Sequence, residues 1–147
     1  MLWTKQPPVI LVVVEDSDED FDTVAEAVKR SGVTAEVRRA TTGEAGLALL
    51  RELAPDRPVL VLMDLNTPGI DGREALAALK TDPALKAIPV IVFSTSANPK
   101  DVGFCYAAGA NAYHVKPVQY PDHLQLVIDL VNYWCGRVAL PAAAQRD

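Results

Sequence analysis

The sequence predicts an α/β domain: a doubly wound, five-stranded parallel sheet with helices on both faces. Two observations predict it. Apolar runs of strand length alternate with helical periodicities five times along the chain. The strongest runs, Val9–Val14 (VILVVV) and Val59–Met63 (VLVLM), are also unbroken and rich in β-branched residues. A strand with one wet face alternates; an unbroken one is covered on both faces, as in a parallel sheet.

Each element follows from local signals. After the first strand, Phe21, Val24, Ala25 and Val28 recur at i, i+3, i+4 and i+7, and Ser31-Gly32 stops that helix. Ala35–Ala40 alternates and carries Glu36, Arg38 and Arg39, which suits an edge strand. Residues 43–53 are helical, ended by Pro55 and Pro58, and the strand Val59–Met63 stops at Asp64. The second half repeats the scheme, with a helix over 72–80 and a strand over 90–93. Asn98-Pro99 then opens a helix with a capping side chain and a proline in its first turn, closing at Gly109. Ala112–Val115 is a short fifth strand, and a last helix runs over about 122–135. The expected organisation is a tail over 1–8, one domain over 9–135, and an extended arm and tail over 136–147.

Length and composition narrow the class. The 147 residues match one domain at roughly 150 residues each. Apolar residues make up 50%, enough for a packed core, so the chain as a whole is not disordered. Fourteen basic residues against 19 acidic ones give a net charge of −5, which argues against a nucleic-acid grip. No apolar run approaches the roughly 18 residues of a membrane span. The polar start MLWTKQPP does not resemble a signal peptide, and Cys105 and Cys135 form no paired-ligand spacing. These features predict a soluble cytoplasmic domain without membrane or nucleic-acid partners.

In open parallel sheets, ligands sit outside the carboxyl ends of the strands. Those ends carry Glu15-Asp16, then Asp64-Leu65-Asn66, then Ser94-Thr95, then Lys116-Pro117. Three carboxylates, a hydroxyl and an ammonium thus converge on one edge. Clustered carboxylates repel one another unless a cation sits among them, and oxygen-only ligands suit Mg²⁺ or Mn²⁺. The lysine and hydroxyl would then receive a phosphoryl group, whose transfer needs positioning and charge neutralisation above all. Asp64, at the tip of a buried strand, is the best-placed nucleophile. Taken singly, Asp16, Ser17, Asp18, Glu19 and Asp20 could do no more than favour a helix dipole.

The segments VVVEDS, LMDLNTPGIDG, VFSTS and AYHVKP resemble the four signatures of the receiver domain of two-component response regulators, in order and over nearly the whole chain. The resemblance implies a flavodoxin-like sheet of order 2-1-3-4-5 and a phosphoryl switch rather than an enzyme, served by a sensor histidine kinase. Asp64 would be the phosphoacceptor. Glu15 and Asp16 would hold the metal together with Asp64 and the backbone carbonyl of Asn66, Glu15 through water. Ser94 would be the switch hydroxyl, Tyr113 the switch aromatic, and Lys116 the phosphate-pairing lysine before a cis proline, Pro117. Phosphorylation would draw the Ser94 loop inward and open space for Tyr113.

Rival readings have specific defects. Asp16, Asp18 and Asp20 imitate the start of a calcium loop, but Phe21 stands where glycine should and Ala27 where glutamate should. A hydrolase of the haloacid dehalogenase type wants a second aspartate two residues after the nucleophile, where this chain has Asn66, and a nucleophile on the first strand. A pseudo-receiver would lack phosphorylation residues that are all present. Among the remaining residues, His114 is expected on a sheet face, His123 solvated, Cys105 in the core and Trp3 in a tail.

The last helix carries two apolar stripes. Leu124, Val127, Ile128, Val131 and Cys135 form the sheet-facing side; Leu126, Leu130 and Tyr133 form another, with Trp134 between. An exposed second stripe predicts a partner surface, here a homodimer through the helix, with the arm Val138 to Leu140 crossing to the neighbour. This ending resembles that of small receivers paired with bacterial phytochrome kinases. The absence of an output segment predicts action by binding, or as a phosphate relay or sink.

Overall fold

Side chains leave a strand alternately to its two faces, and in the first strand that alternation divides the whole core. The computed structural model describes residues 7–53, 57–67 and 71–142. Strand β1 (Val9–Val14) sends Ile10, Val12 and Val14 to one cluster and Val9, Leu11 and Val13 to the other. The same division runs through β3 (Val59–Met63) and β4 (Val90–Ser94), with Val61 and Val92 on the first side and Leu62 and Phe93 on the second. These strands are therefore buried throughout, as their unbroken apolar sequences require.

The edge strands are β2 (Ala35–Ala40) and β5 (Ala112–Val115), and the all-parallel order is β2-β1-β3-β4-β5. Helices α2 (Gly43–Glu52), α3 (Gly72–Thr81) and α4 (Pro99–Ala107) cover the first cluster; α1 (Asp18–Ser31) and α5 (Tyr120–Gly136) cover the second. Caps fall where the sequence places them. Gly32 ends α1 in the left-handed region at φ 81°, and the Asn98 side chain accepts from the Lys100 amide.

Several expectations are corrected. Helix α5 starts two residues early, at Tyr120, because Pro121 fits the first turn, where its missing N–H has no partner to lose. Leu130 is not on an open stripe: it is 4% exposed and belongs to the second cluster. The helix packs along α1 as well as on the sheet, so it buries a wider arc than the sheet alone would cover. Leu126 and Trp134 pack partly against the same cluster, which leaves Tyr133 as the exposed member. The arm has contacts on its own domain. Leu140 packs on the second cluster, and Pro58 and Ala142 form an antiparallel bridge.

His123 is buried, not solvated, with its ring 5.3 Å from that of Phe93; burial lowers its pKa. His114 does lie on the sheet face, edge-on to Phe93, and Cys105 is in the core. The peptide before Pro117 is trans, the isomer that costs an X–Pro bond less. Trp3 lies outside the described residues.

Leu130→Ala should therefore cost about 2–5 kcal/mol of stability, as a cavity in a packed core does. Val118→Ala, at a site 96% exposed, should stay within about 0.5 kcal/mol. Urea unfolding of the two variants checks this, and equal midpoints would overturn the buried placement.

Candidate functional site

The sheet ladder continues one residue beyond β1, β3 and β5 at the carboxyl edge. The Glu15 amide donates to the Ala40 carbonyl at 2.9 Å, the Asp64 amide to Val14 at 3.0 Å, and the Lys116 amide to Ser94 at 2.7 Å. Backbone pairing thus fixes the Cα positions of Glu15, Asp64 and Lys116 before any side-chain contact is made. The start of α3 is equally constrained. A Cβ at Gly72 would come within 2.5 Å of the Asp64 carbonyl oxygen, so only glycine lets α3 start this close to β3.

Lys116 is the centre of the site. Its Nζ donates to Glu15 Oε1 at 2.7 Å, to Asp20 Oδ2 at 2.7 Å and to Asp64 Oδ2 at 3.1 Å. The Phe93 ring lies beneath, 5.9 Å from the ammonium to the centroid. Glu15, Asp64 and Lys116 are all buried. Burial opposes the lysine's charge, but hydrogen bonds to Asp20 and Glu15 and the nearby carboxylate charges outweigh it, and its pKa rises. Glu15 moves the other way from an ordinary carboxylate. Burial pushes it up to about 7, against the pull of Lys116, and the Asp64 charge adds to the rise.

The charges of the cluster do not balance. One ammonium faces Glu15, Asp20 and Asp64, with Asp16 adjacent, so the cluster carries more negative charge than it neutralises. Glu15, Asp16 and Asp64 each offer an oxygen, and these atoms lie within 4.8 Å of one another. An all-oxygen set with excess negative charge and one exposed member fits a hard divalent cation. The Asp64 oxygens are already oriented: Oδ1 accepts from the Asn66 amide at 3.1 Å and Oδ2 from Lys116.

The sequence-predicted residues fall into two groups. Glu15, Asp16, Asp64 and Lys116 come together, and Asn66 joins them through its amide, which donates to Asp64. Ser94 and Tyr113 meet instead on Ser96. The buried Ser94 hydroxyl accepts from the Ser96 amide at 3.1 Å, and the Tyr113 hydroxyl donates to the Ser96 carbonyl at 2.8 Å. Tyr113 packs partly against the first cluster. Ser96 also donates through its hydroxyl to Asp101 at 2.6 Å, and Asp101 pairs with Arg73 of α3 at 2.7 Å.

Asp20, Ser96, Asp101 and Arg73 were not legible as site residues. For Asp20 the available signal was misleading. Ser17-x-x-Asp20 is a capping pattern whose acid normally turns back to the cap. The calcium-like spacing also dissolves here, since Asp18 pairs with Arg39 and Asp20 with Lys116.

Comparison with known proteins agrees with this geometry. Residues 11–128 match the model of the response regulator receiver domain. The response regulator Rcp1 of Synechocystis sp. is 39% identical over 141 residues, covering 93% of this chain and 96% of that protein. The crystal structure of the Mn²⁺-bound form of Rcp1 superposes with a TM-score of 0.84, covering 92% of this chain and 100% of that one. The phosphorylated cyanobacterial phytochrome response regulator RcpA superposes at 0.86, with 36% identity and the same coverage. Family match, sheet order and the acid-lysine edge agree, and the chain belongs to the receiver domains of two-component response regulators.

Proposed function

We propose that Asp64 accepts a phosphoryl group from a sensor histidine kinase and that Lys116 pairs with it. The observation that carries this is the Lys116 Nζ placed 3.1 Å from Asp64 Oδ2 inside a buried, over-acidic cluster. An Asp64 oxygen forms the new bond to phosphorus, the donor's phosphorus–nitrogen bond breaks, and the imidazole nitrogen leaves with a proton from solvent. Asp16, Asp64 and the Asn66 carbonyl would hold Mg²⁺ or Mn²⁺, with Glu15 contributing through water. A cation there supplies positive charge for the phosphoryl oxygens. The similarity to Rcp1 and to the phytochrome regulator RcpA supports a phytochrome-type kinase as donor. The chain acts as a switch, with the phosphorylated state as its output.

Ser96 is the element that transmits the change. Three of its four bonds tie the Ser94 hydroxyl, Tyr113 and the Asp101–Arg73 pair to one residue. Drawing Ser94 toward a phosphoryl group moves the Ser96 amide and strains the other bonds, a local charge event biasing a packed element. A homodimer through α5 is also proposed, centred on Tyr133. That ring is 59% exposed and stacks edge-on with Trp134 at 5.9 Å. Leu126 and Trp134 flank it; Leu130 is excluded by its burial.

Asp64→Asn should abolish base-labile phosphate incorporation with the fold intact; equal labelling would sink the assignment. Labelling should need a divalent cation. Asp16→Ala should weaken Mg²⁺ binding about tenfold or more by calorimetry, and Glu15→Ala less, because it removes no direct ligand.

Asp101 gives a pH test. Hydrogen bonds from Ser96 and Arg73 hold its carboxyl below the ordinary value of 3.8. Its stabilising effect is thus complete above that value and is lost as pH falls through the lowered one. Urea unfolding of wild type and Asp101→Asn should differ by a constant amount at neutral pH and converge below about pH 4. A difference that grows on acidification would contradict the sign.

Tyr133→Asp should give a folded monomer by light scattering. A monomeric parent at high concentration would remove the dimer proposal.

A further inference from the structure

Asp20 has no place in the four signatures, yet its carboxylate makes one of the two shortest contacts to Lys116, 2.7 Å. Its position in α1 makes this unexpected. Asp20 stands three residues after the cap Ser17, whose hydroxyl accepts from the Asp20 amide at 3.2 Å. In such a capping box the acid three residues on accepts in return from the cap's own amide. Here Glu15 Oε2 takes that amide, at 3.2 Å from Ser17. The box is completed from outside the helix, and the Asp20 side chain is released to cross to the end of β5.

An ammonium has three donors, and Lys116 has three acceptors on three different elements. Two of these bonds need not change when Asp64 is modified. Glu15 and Asp20 can stay as they are while the third proton follows from Asp64 Oδ2 to an oxygen of the phosphoryl group. We propose that Asp20 is a positioning residue for phosphorylation, holding the Lys116 ammonium so that its remaining donor is aimed at the phosphoryl oxygens on Asp64. The proposal rests on Asp64 being the phosphoacceptor.

The alternative effect of Asp20 is competition, drawing the ammonium away from the phosphoryl group. Geometry decides against it. Competition requires a shared proton, and each acceptor here has its own. Asp20 is also about one-third exposed, so solvent weakens its charge while its hydrogen bond stays directional. A lysine stem has four rotatable bonds, and two fixed bonds beside the Phe93 ring remove most of that freedom before the donor arrives.

The test uses phosphoramidate as the donor, so that kinase docking plays no part. Asp64 gains an oxygen–phosphorus bond, the phosphorus–nitrogen bond breaks, and ammonia departs after protonation. Asp20→Ala should slow labelling about tenfold, as loss of a pre-aligned donor does. Asp20→Asn keeps an oxygen acceptor at the same reach and should stay within about threefold of wild type. Asp22→Ala removes an equal charge from an exposed site on the same helix and should leave the rate unchanged.

A second readout needs no phosphorylation. The Lys116 ammonium ¹⁵N signal, identified by its loss in Lys116→Met, should be protected in wild type and Asp20→Asn and exchange-broadened in Asp20→Ala. A signal that survives Asp20→Ala overturns the proposal. So does a labelling rate in Asp20→Ala equal to that of Asp22→Ala. If wild type itself takes no label on Asp64, the phosphoacceptor assignment fails instead, and the ammonium signal still decides whether Asp20 holds the lysine.

Discussion

The site depends on a buried ammonium that is outnumbered by carboxylates. Lys116 holds Glu15, Asp20 and Asp64 together at the carboxyl edge of the sheet, and each of the three comes from a different part of the chain. Removing Lys116 would leave Glu15 and Asp64 buried and unpaired, which costs more than the contacts themselves contribute. The cluster is nonetheless incomplete. With its excess negative charge it attracts whatever adds positive charge, and burial pushes Glu15 up to about 7. A divalent cation beside Asp16 and Asp64 answers the same electrostatic need without occupying Lys116.

The fold supplies this cluster by construction. Every strand is parallel, so every carboxyl end lies at the same edge, and one further ladder bond beyond β1, β3 and β5 fixes Glu15, Asp64 and Lys116 in register. Two core faces then hold two different functions. The α1 and α5 face contributes Phe93 beneath Lys116 and Asp20 above it. The α2, α3 and α4 face carries Tyr113 and the Arg73–Asp101–Ser96 chain. Ser94, at the end of β4, stands between the two.

What the sequence disclosed and what it hid follow one physical distinction. Periodicity records burial, so the strands, helix caps and strand-end residues were legible from the apolar runs and the residues that terminate them. Asp64, Glu15 and Lys116 were found because a backbone rule names their positions. Asp20 was hidden because its partner is 96 residues away, and its local pattern describes a cap. Leu130 and His123 were misplaced for a related reason. A helical wheel gives the angle between stripes but not how many neighbours the helix has, and α5 lies against both the sheet and α1. Arg73, Asp101 and Ser96 look like ordinary surface residues one at a time, and only the packing of α3 beside α4 joins them.

The close approach of Gly72 to Asp64 and Leu65 helps fix the direction of Asp64. Asp64 lies between its own backbone bond to Val14 and a helix start that approaches too closely for any side chain at residue 72. Its Oδ1 is held by the Asn66 amide, and its Oδ2 by Lys116 from across the sheet. Both oxygens are therefore oriented before any donor approaches, and little rotational freedom remains to be lost in the transfer step. Rigidity on this side contrasts with Ser96, whose bonds to a carboxylate and a phenol on partly exposed residues can be exchanged for water. A fixed acceptor beside an exchangeable latch is the arrangement a switch requires: the chemistry stays in register while the surface that reports it moves.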